Sequence, residues 1–91
     1  MACKYLQTIE KIKEKTSQEI IKEYSLTDKE IEILKCLYNK QLLKVDLIDD
    51  FYWNWQITKQ ETSKIFGSLK KKGLIYNVLD FPGYIGTEIK I

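Results

Sequence analysis

Residues 57–75 read "ITKQETSKIFGSLKKKGLI", and this stretch predicts one amphipathic helix with defined ends. Thr58 and Glu61 have the spacing of a capping box, in which two side chains satisfy backbone N–H groups at the start of a helix. Ile65, Phe66 and Leu69 recur at helical spacing and predict its buried side. Gly73 after three lysines is a favourable helix end, because glycine adopts the left-handed conformation and cations suit the last turn. The stretch therefore predicts a basic helix over residues 58–72.

The flanking segments predict further helices and one hairpin. "TDKE" at 27–30 is a second capping box before a helix to about Asn39, and "VDLIDDFYWNW" at 45–55 predicts the next helix. Residues 4–24 carry an apolar stripe that weakens at Thr16, which fits either one long helix or two shorter ones. Beyond Gly73, β-forming residues surround "FPG" and predict two strands of about five to seven residues each. The expected fold is mainly α with a small β-hairpin, in the α+β class.

Composition excludes several classes of protein. The 91 residues suffice for one small core, and no apolar stretch approaches the ~20 residues that span a bilayer. Charges interrupt the N-terminal segment, so a signal peptide is not expected, and the predicted location is the cytoplasm. There is no histidine and no Cys-x-x-Cys, so neither a metal nor another cofactor is expected. With no phosphate-binding loop and no nucleophile beside a base, the chain is not expected to be an enzyme.

Positive charge is concentrated in one segment. Residues 51–73 contain five lysines and one glutamate, for a net +4, whereas residues 27–50 contain four lysines and six acids, for −2. The whole chain carries only +2, and all its basic residues are lysine. A basic helix of this kind can be an ordinary solvated surface or can contact the phosphates of double-stranded DNA. Without arginine it cannot read guanine with a bidentate guanidinium.

Two stretches resemble MarR-type winged-helix regulators. "LTDKEIEILKCL" at 26–37 is similar to their opening helix, and "LKKKGLI" at 69–75 resembles the exit of their recognition helix into the wing. The resemblance covers residues 26–91 and implies a winged helix-turn-helix domain there, preceded by an N-terminal helical extension at 1–25. It implies a sequence-specific, DNA-binding transcriptional regulator, and an origin in a phage or another mobile element is expected. Such regulators dimerise through a helix after the wing, so here a homodimer is expected to use residues 4–24 or an exposed apolar patch. The apolar stripe of residues 4–24 can equally pack on the winged-helix domain of its own chain.

The resemblance also places the DNA contacts on the basic helix. The N-terminal half of a recognition helix meets base edges in the major groove, and lysines at its far end suit phosphates. The expected DNA-binding residues are Thr58, Lys59, Gln60, Ser63, Lys64, Lys70, Lys71 and Lys72.

Four aromatic residues directly precede that helix. The segment "FYWNWQ" at 51–56 is expected to lengthen the connection before the recognition helix by about four residues relative to the family. Three fates are open for its rings: stacking on nucleobases, packing of Phe51 and one tryptophan in the core, or a partner surface formed by Tyr52, Trp53 and Trp55. The last supports an alternative function, a winged-helix protein-interaction module that uses these rings and a wing that carries Asp80 and no basic residue between 73 and 89.

Overall fold

The computed structural model describes the backbone of residues 3–91 and the side chains of residues 8–91. This part of the chain is mainly helical and carries a small three-stranded antiparallel sheet, so it belongs to the α+β class. Within residues 3–91, no helix combines the length and the apolar character needed to cross a membrane. The elements in order are α1 (Cys3–Lys13), α2 (Ser17–Tyr24), α3 (Asp28–Leu37), β1 (Lys40–Leu43), α4 (Lys44–Trp55), α5 (Lys59–Lys71), β2 (Tyr76–Asn77) and β3 (Tyr84–Thr87).

Threonine side chains begin three of the helices. Thr16 accepts a hydrogen bond from the backbone N–H of Glu19, so residues 4–24 form two helices rather than one. Thr27 makes a complete capping box with Glu30, as predicted. Thr58 accepts from the N–H of Glu61 at 3.2 Å and begins α5 at the predicted position. Each cap satisfies N–H groups that a helix leaves unpaired in its first turn.

The sheet differs from the predicted hairpin. β1 was not predicted, and it pairs antiparallel with β3, so that β3 lies between β1 and β2. The predicted strand lengths were wrong, since β2 has 2 residues and β3 has 4. Residues 79–83 turn the chain instead, and the side-chain hydroxyl of Thr87 donates to the carbonyl of Leu74 at 2.6 Å. This bond ties β3 to the exit of α5.

One hydrophobic core joins the helices to the sheet. Its largest fully buried side chains come from α1, α2, α3, α5 and β3 and include Ile12, Ile20, Leu37, Phe66 and Ile85. Ile9, Ile12 and Ile20 of the N-terminal helices are buried inside this chain, while the side chains of Tyr5 and Leu6 lie outside the described residues. The buried isoleucines are therefore not exposed for pairing with a second copy, and a homodimer through residues 4–24 stays a prediction.

Glu30 connects the start of α3 to the end of α5. Its carboxylate is buried, with the residue only 4% exposed, and it accepts from the N–H of Thr27 and from the hydroxyl of Ser68. The ammonium of Lys72 completes the cluster, with Nζ lying 3.0 Å from Oε2 and 3.2 Å from Oε1. A buried carboxylate costs several kcal/mol unless it is paired and hydrogen-bonded, so these contacts fix the angle between the two helices.

We expect Lys72→Met to lower the free energy of unfolding by about 1–3 kcal/mol, because it leaves the carboxylate of Glu30 buried without its cation. The loss stays below that of a fully buried pair, since the side chain of Lys72 is 25% exposed. Urea unfolding followed by far-ultraviolet circular dichroism measures the change.

Lys71→Met is the matched control. Lys71 is exposed, and within the described side chains it has no ion-pair partner, so its loss should change stability by less than about 0.5 kcal/mol. In a double-mutant cycle with Glu30→Gln, the Lys72 effect should shrink. Equal effects of the two lysine substitutions would show that the Glu30 cluster is not a structural constraint.

Candidate functional site

A three-residue connection joins α4 to α5. Helix α4 continues to Trp55, and Gln56 ends it in the left-handed conformation, at φ 57°, with its N–H donating to the carbonyl of Tyr52 at 3.1 Å. Ile57 is buried, and Thr58 then caps α5. The predicted lengthening of this connection was therefore wrong, because residues 51–55 form the last turns of α4.

Two sides of α5 face the rest of the fold. Thr62, Phe66 and Leu69 are buried, and Ile65 is half-buried. Thr62 was not among the predicted inner residues, and its hydroxyl is satisfied by donating to the carbonyl of Thr58. A flank turned toward α3 makes polar contacts: Glu61 lies 3.7 Å from Lys29, and both Ser68 and Lys72 contact Glu30.

The remaining side of α5 points to solvent and holds most of the predicted DNA-binding residues. Gln60, Lys64, Gly67 and Lys71 follow the spacing i, i+4, i+7 and i+11, which places them in one stripe opposite Phe66. Lys59, Ser63 and Lys70 follow a parallel row on the flank opposite the α3 contacts. We call these seven residues the α5 outer face. All but the half-buried Lys70 are exposed.

Lys72 and Thr58 take other positions. Lys72 is held by Glu30 on the α3 flank, so the structure separates it from the lysines with which the sequence grouped it. Thr58 is exposed at the tip of the helix, where its hydroxyl accepts from the N–H of Glu61. It therefore lies next to the α5 outer face while serving as the helix cap.

The α5 outer face carries four lysines and no acid. Among the residues whose side chains the structure describes, Lys59, Lys64, Lys70 and Lys71 make no ion pair. Lys59 is also the first residue of α5, where the positive end of the helix dipole disfavours a cation. Its charge is thus unfavourable for the isolated helix, and it is available to an anionic partner.

Gly67 leaves a gap in the middle of this face. Glycine in a helix interior costs about 1 kcal/mol relative to alanine. A Cβ placed at Gly67 meets no atom within 4 Å, so nothing inside the described fold requires a glycine there. Because Gly67 has no side chain, it leaves a shallow depression at the centre of the α5 outer face.

The aromatic residues of α4 divide between core and solvent. Phe51 is buried, as predicted, but Trp53 is 76% exposed, Tyr52 51% and Trp55 49%. The expectation of one tryptophan in the core was wrong, because a helical period carries Trp53 to the side opposite Leu47 and Phe51. Trp55 is the last helical residue and lies at the edge of the core.

Acidic side chains share the exposed side of α4 with these rings. Trp53 follows Asp46, Asp49 and Asp50 by seven, four and three positions, so all four lie on one face. Tyr52 adjoins them, and its ring meets that of Trp53 edge to face, with centroids 5.7 Å apart. We call Asp46, Asp49, Asp50, Tyr52 and Trp53 the aromatic–acidic face.

A groove runs beside this face, between α3, β1 and α4. Its volume is about 250 Å³, and its lining includes Cys36, Asp50, Phe51 and Trp55. Burial raises the pKa of the Cys36 thiol above its ordinary value, and the nearby carboxylates of Glu32 and Asp50 raise it further, whereas the ammonium of Lys40 opposes them in part. The groove is thus partly apolar, and its charged lining consists of the carboxylates of Glu32 and Asp50 and the ammonium of Lys40. We call it the α3–α4 groove.

The tip of the β2–β3 hairpin is apolar and acidic. Leu79 is 87% exposed and Phe81 60% exposed, with Asp80 between them. The ring of Phe81 packs on that of Tyr84, at a centroid distance of 6.0 Å. This tip therefore adds no positive charge to the α5 outer face.

We expect Cys36 to react slowly with iodoacetamide near pH 8. Only the thiolate is nucleophilic, and a raised pKa leaves a smaller thiolate fraction than in the unfolded chain. In a Cys3→Ser background, the rate of the folded protein should rise over a higher pH range than that of the same protein in urea. Asp50→Asn should speed the folded reaction, whereas Asp28→Asn, on a residue outside the groove lining, should not. Identical pH profiles for folded and unfolded protein would contradict this picture of the groove.

Comparisons of the chain with protein-family models, with curated proteins and with solved structures found no match. The function proposed below therefore depends on the placement of charge, aromatic rings and open surface on α4 and α5.

Proposed function

We propose that residues 26–91 form a winged helix-turn-helix domain that binds double-stranded DNA and regulates transcription. Three helices, α3, α4 and α5, precede the β2–β3 hairpin, which agrees with that layout. The three-residue connection between α4 and α5 is also the length expected of a helix-turn-helix. In this proposal α5 is the recognition helix and residues 76–87 form the wing.

The observation that carries the proposal is the α5 outer face. Its four lysines lack acidic partners among the described side chains, and the major groove of B-DNA is wide enough for an α-helix. Lys59, Gln60, Ser63 and Lys64 occupy the N-terminal half, which is where recognition helices contact base edges. Lys70 and Lys71 occupy the C-terminal half and suit phosphates.

The chemistry of the face sets what it can read. The amide of Gln60 can pair with the N6 and N7 positions of adenine, and the hydroxyl of Ser63 can bond to several base edges. Lys59 and Lys64 supply ammonium donors to guanine or to phosphate. Because Lys72 is held by Glu30, it is left out of the proposed contacts.

Charge on the wing and on α4 limits the electrostatic part of binding. The hairpin tip holds Asp80 and no lysine, and the aromatic–acidic face repels phosphates. Binding through the four lysines of the α5 outer face gives a slope of about −3 to −4 for the logarithm of affinity against the logarithm of salt concentration.

We expect Lys59→Ala/Lys64→Ala to weaken duplex binding by about tenfold or more and to reduce the magnitude of the salt slope by about 2. The slope falls because binding releases about one fewer counterion from the DNA for each lysine that is removed. Fluorescence anisotropy with a labelled random-sequence duplex at low salt measures both quantities. Selection from a random duplex library then identifies any preferred site.

The matched control is Lys11→Ala/Lys22→Ala, which removes the same charge from exposed positions on α1 and α2. This variant should retain the wild-type salt slope. If both variants lose affinity equally, binding reflects overall charge alone, and the proposed interface is wrong. Failure of any duplex to bind at micromolar protein would reject DNA as the partner.

Gly67 provides a second test, which separates folding from binding. Gly67→Ala should raise the free energy of unfolding by about 0.5–1 kcal/mol, because alanine favours the helix and its Cβ meets no neighbour. Gly67→Met should also be at least as stable as the wild type, yet bind duplex DNA more weakly, since its side chain projects from the α5 outer face. Urea unfolding and anisotropy measure the pair. A methionine variant with unchanged affinity would place the DNA elsewhere.

A further inference from the structure

The aromatic–acidic face of α4 contains residue types that do not stabilise a helix on their own. Trp53 is 76% exposed and Tyr52 51% exposed, although exposed positions on a helix are usually polar. Asp49 and Asp50 lie in the helix interior, where aspartate has low helix propensity. Large exposed rings beside the apolar lining of a groove are typical of surfaces that bind another protein.

The charge of this surface specifies what can bind there. Asp46, Asp49 and Asp50 make no ion pair among the described side chains, and the last turn of α4 contains no basic residue. The last turn of α4 therefore supplies no cation of its own to the negative end of the helix dipole near Trp53, although Lys40 lines the groove beside Trp55. A cation gains from the carboxylates, from the dipole and from the faces of the rings together.

The α3–α4 groove adds room for an apolar side chain. Phe51 and Trp55 line it, and Asp50 borders both the groove and the aromatic–acidic face. Its volume of about 250 Å³ can hold one large side chain next to that carboxylate. A ligand that fits both parts carries an apolar anchor with cationic residues beside it.

We propose that the aromatic–acidic face and the α3–α4 groove bind a lysine- or arginine-bearing peptide segment of another protein. An aromatic or aliphatic side chain of the segment packs against Trp55 in the groove. Its basic side chains lie between the carboxylates of Asp49 and Asp50 and the rings of Tyr52 and Trp53.

Two exposed surfaces within residues 8–91 each supply only part of what this site would bind. The α5 outer face supplies lysines, but its other residues, such as Gln60 and Ser63, provide no apolar anchor. The hairpin tip supplies the apolar side chains of Leu79 and Phe81, but Asp80 between them is repelled by the carboxylates. Nucleic acid is disfavoured for the same electrostatic reason, since its phosphates would approach three aspartates.

Selection of random peptides of about 12 residues on the immobilised full chain tests the proposal. We expect the enriched peptides to share two or more Lys or Arg residues and a Trp, Phe or Leu. A labelled synthetic copy should bind the wild type at micromolar concentration. Asp49→Asn/Asp50→Asn and Trp53→Ala should each weaken it by about tenfold in anisotropy titrations.

Glu10→Gln/Glu14→Gln removes the same negative charge from exposed positions on α1 and directly after it, and should change the affinity by less than about twofold. Lys59→Ala/Lys64→Ala should likewise leave peptide binding intact, which distinguishes this surface from the proposed DNA interface. Circular dichroism and urea unfolding confirm that each variant is folded.

Three results would overturn the proposal. Enrichment of no sequence family, or of neutral or acidic peptides, would exclude a cationic ligand. Equal binding by the wild type and the Asp49/Asp50 variant would place the peptide elsewhere. Sedimentation that shows a dimer of the wild type and a monomer of Trp53→Ala would assign the surface to a second copy of the chain.

Discussion

The buried carboxylate of Glu30 is the constraint on which the arrangement of the helices depends. It lies at the first turn of α3, and its partners Ser68 and Lys72 lie at the other end of the sequence of helices, in the last turns of α5. Burial of Thr62, Phe66 and Leu69 determines which side of α5 faces the core. In that orientation Ser68 and Lys72 lie toward α3, where the buried carboxylate requires them as partners, and Gln60, Lys64 and Lys71 point to solvent.

The fold thereby separates its charges. Lysines gather on the exposed side of α5, and carboxylates gather with aromatic rings on the exposed side of α4, although only three residues connect the two helices. Screening at physiological salt limits the influence of one exposed charge on another to about 8 Å. The net charge of +2 therefore does not predict how a ligand meets either surface. The α5 outer face presents only positive charge to a ligand, and the aromatic–acidic face presents only negative charge.

Local signals in the sequence were sufficient for α3, α4 and α5, but they left open whether residues 4–24 form one helix or two. Capping threonines and Gly73 defined the ends of α3 and α5, and the apolar period identified Phe66 and Leu69 as buried. Features that depend on distant partners were missed. β1 is four residues long and is recognisable only through its pairing with β3, and Lys72 looked like its neighbours because its partner Glu30 lies 42 positions earlier.

The aromatic segment shows how one boundary changes a site. The sequence predicted both a helix over residues 45–55 and a connection lengthened by residues 51–56, and a tryptophan in the core was expected. With Gln56 as the end of the helix, the same residues lie on a helical surface and both tryptophans are exposed. The seven residues of the α5 outer face were easier to group, because helical spacing alone places them together. Their binding of DNA stays a prediction.

The position of β3 in the middle of the sheet has a consequence for how the protein folds. The β2–β3 hairpin is local and can close within microseconds, but Leu43 of β1 pairs with Tyr84, 41 positions later. That pairing closes a loop which contains all of α4 and α5. The chain entropy lost when this loop closes is therefore lost in the folding step that orders these two helices. The basic surface and the aromatic surface are therefore formed, and lost, in the same cooperative event.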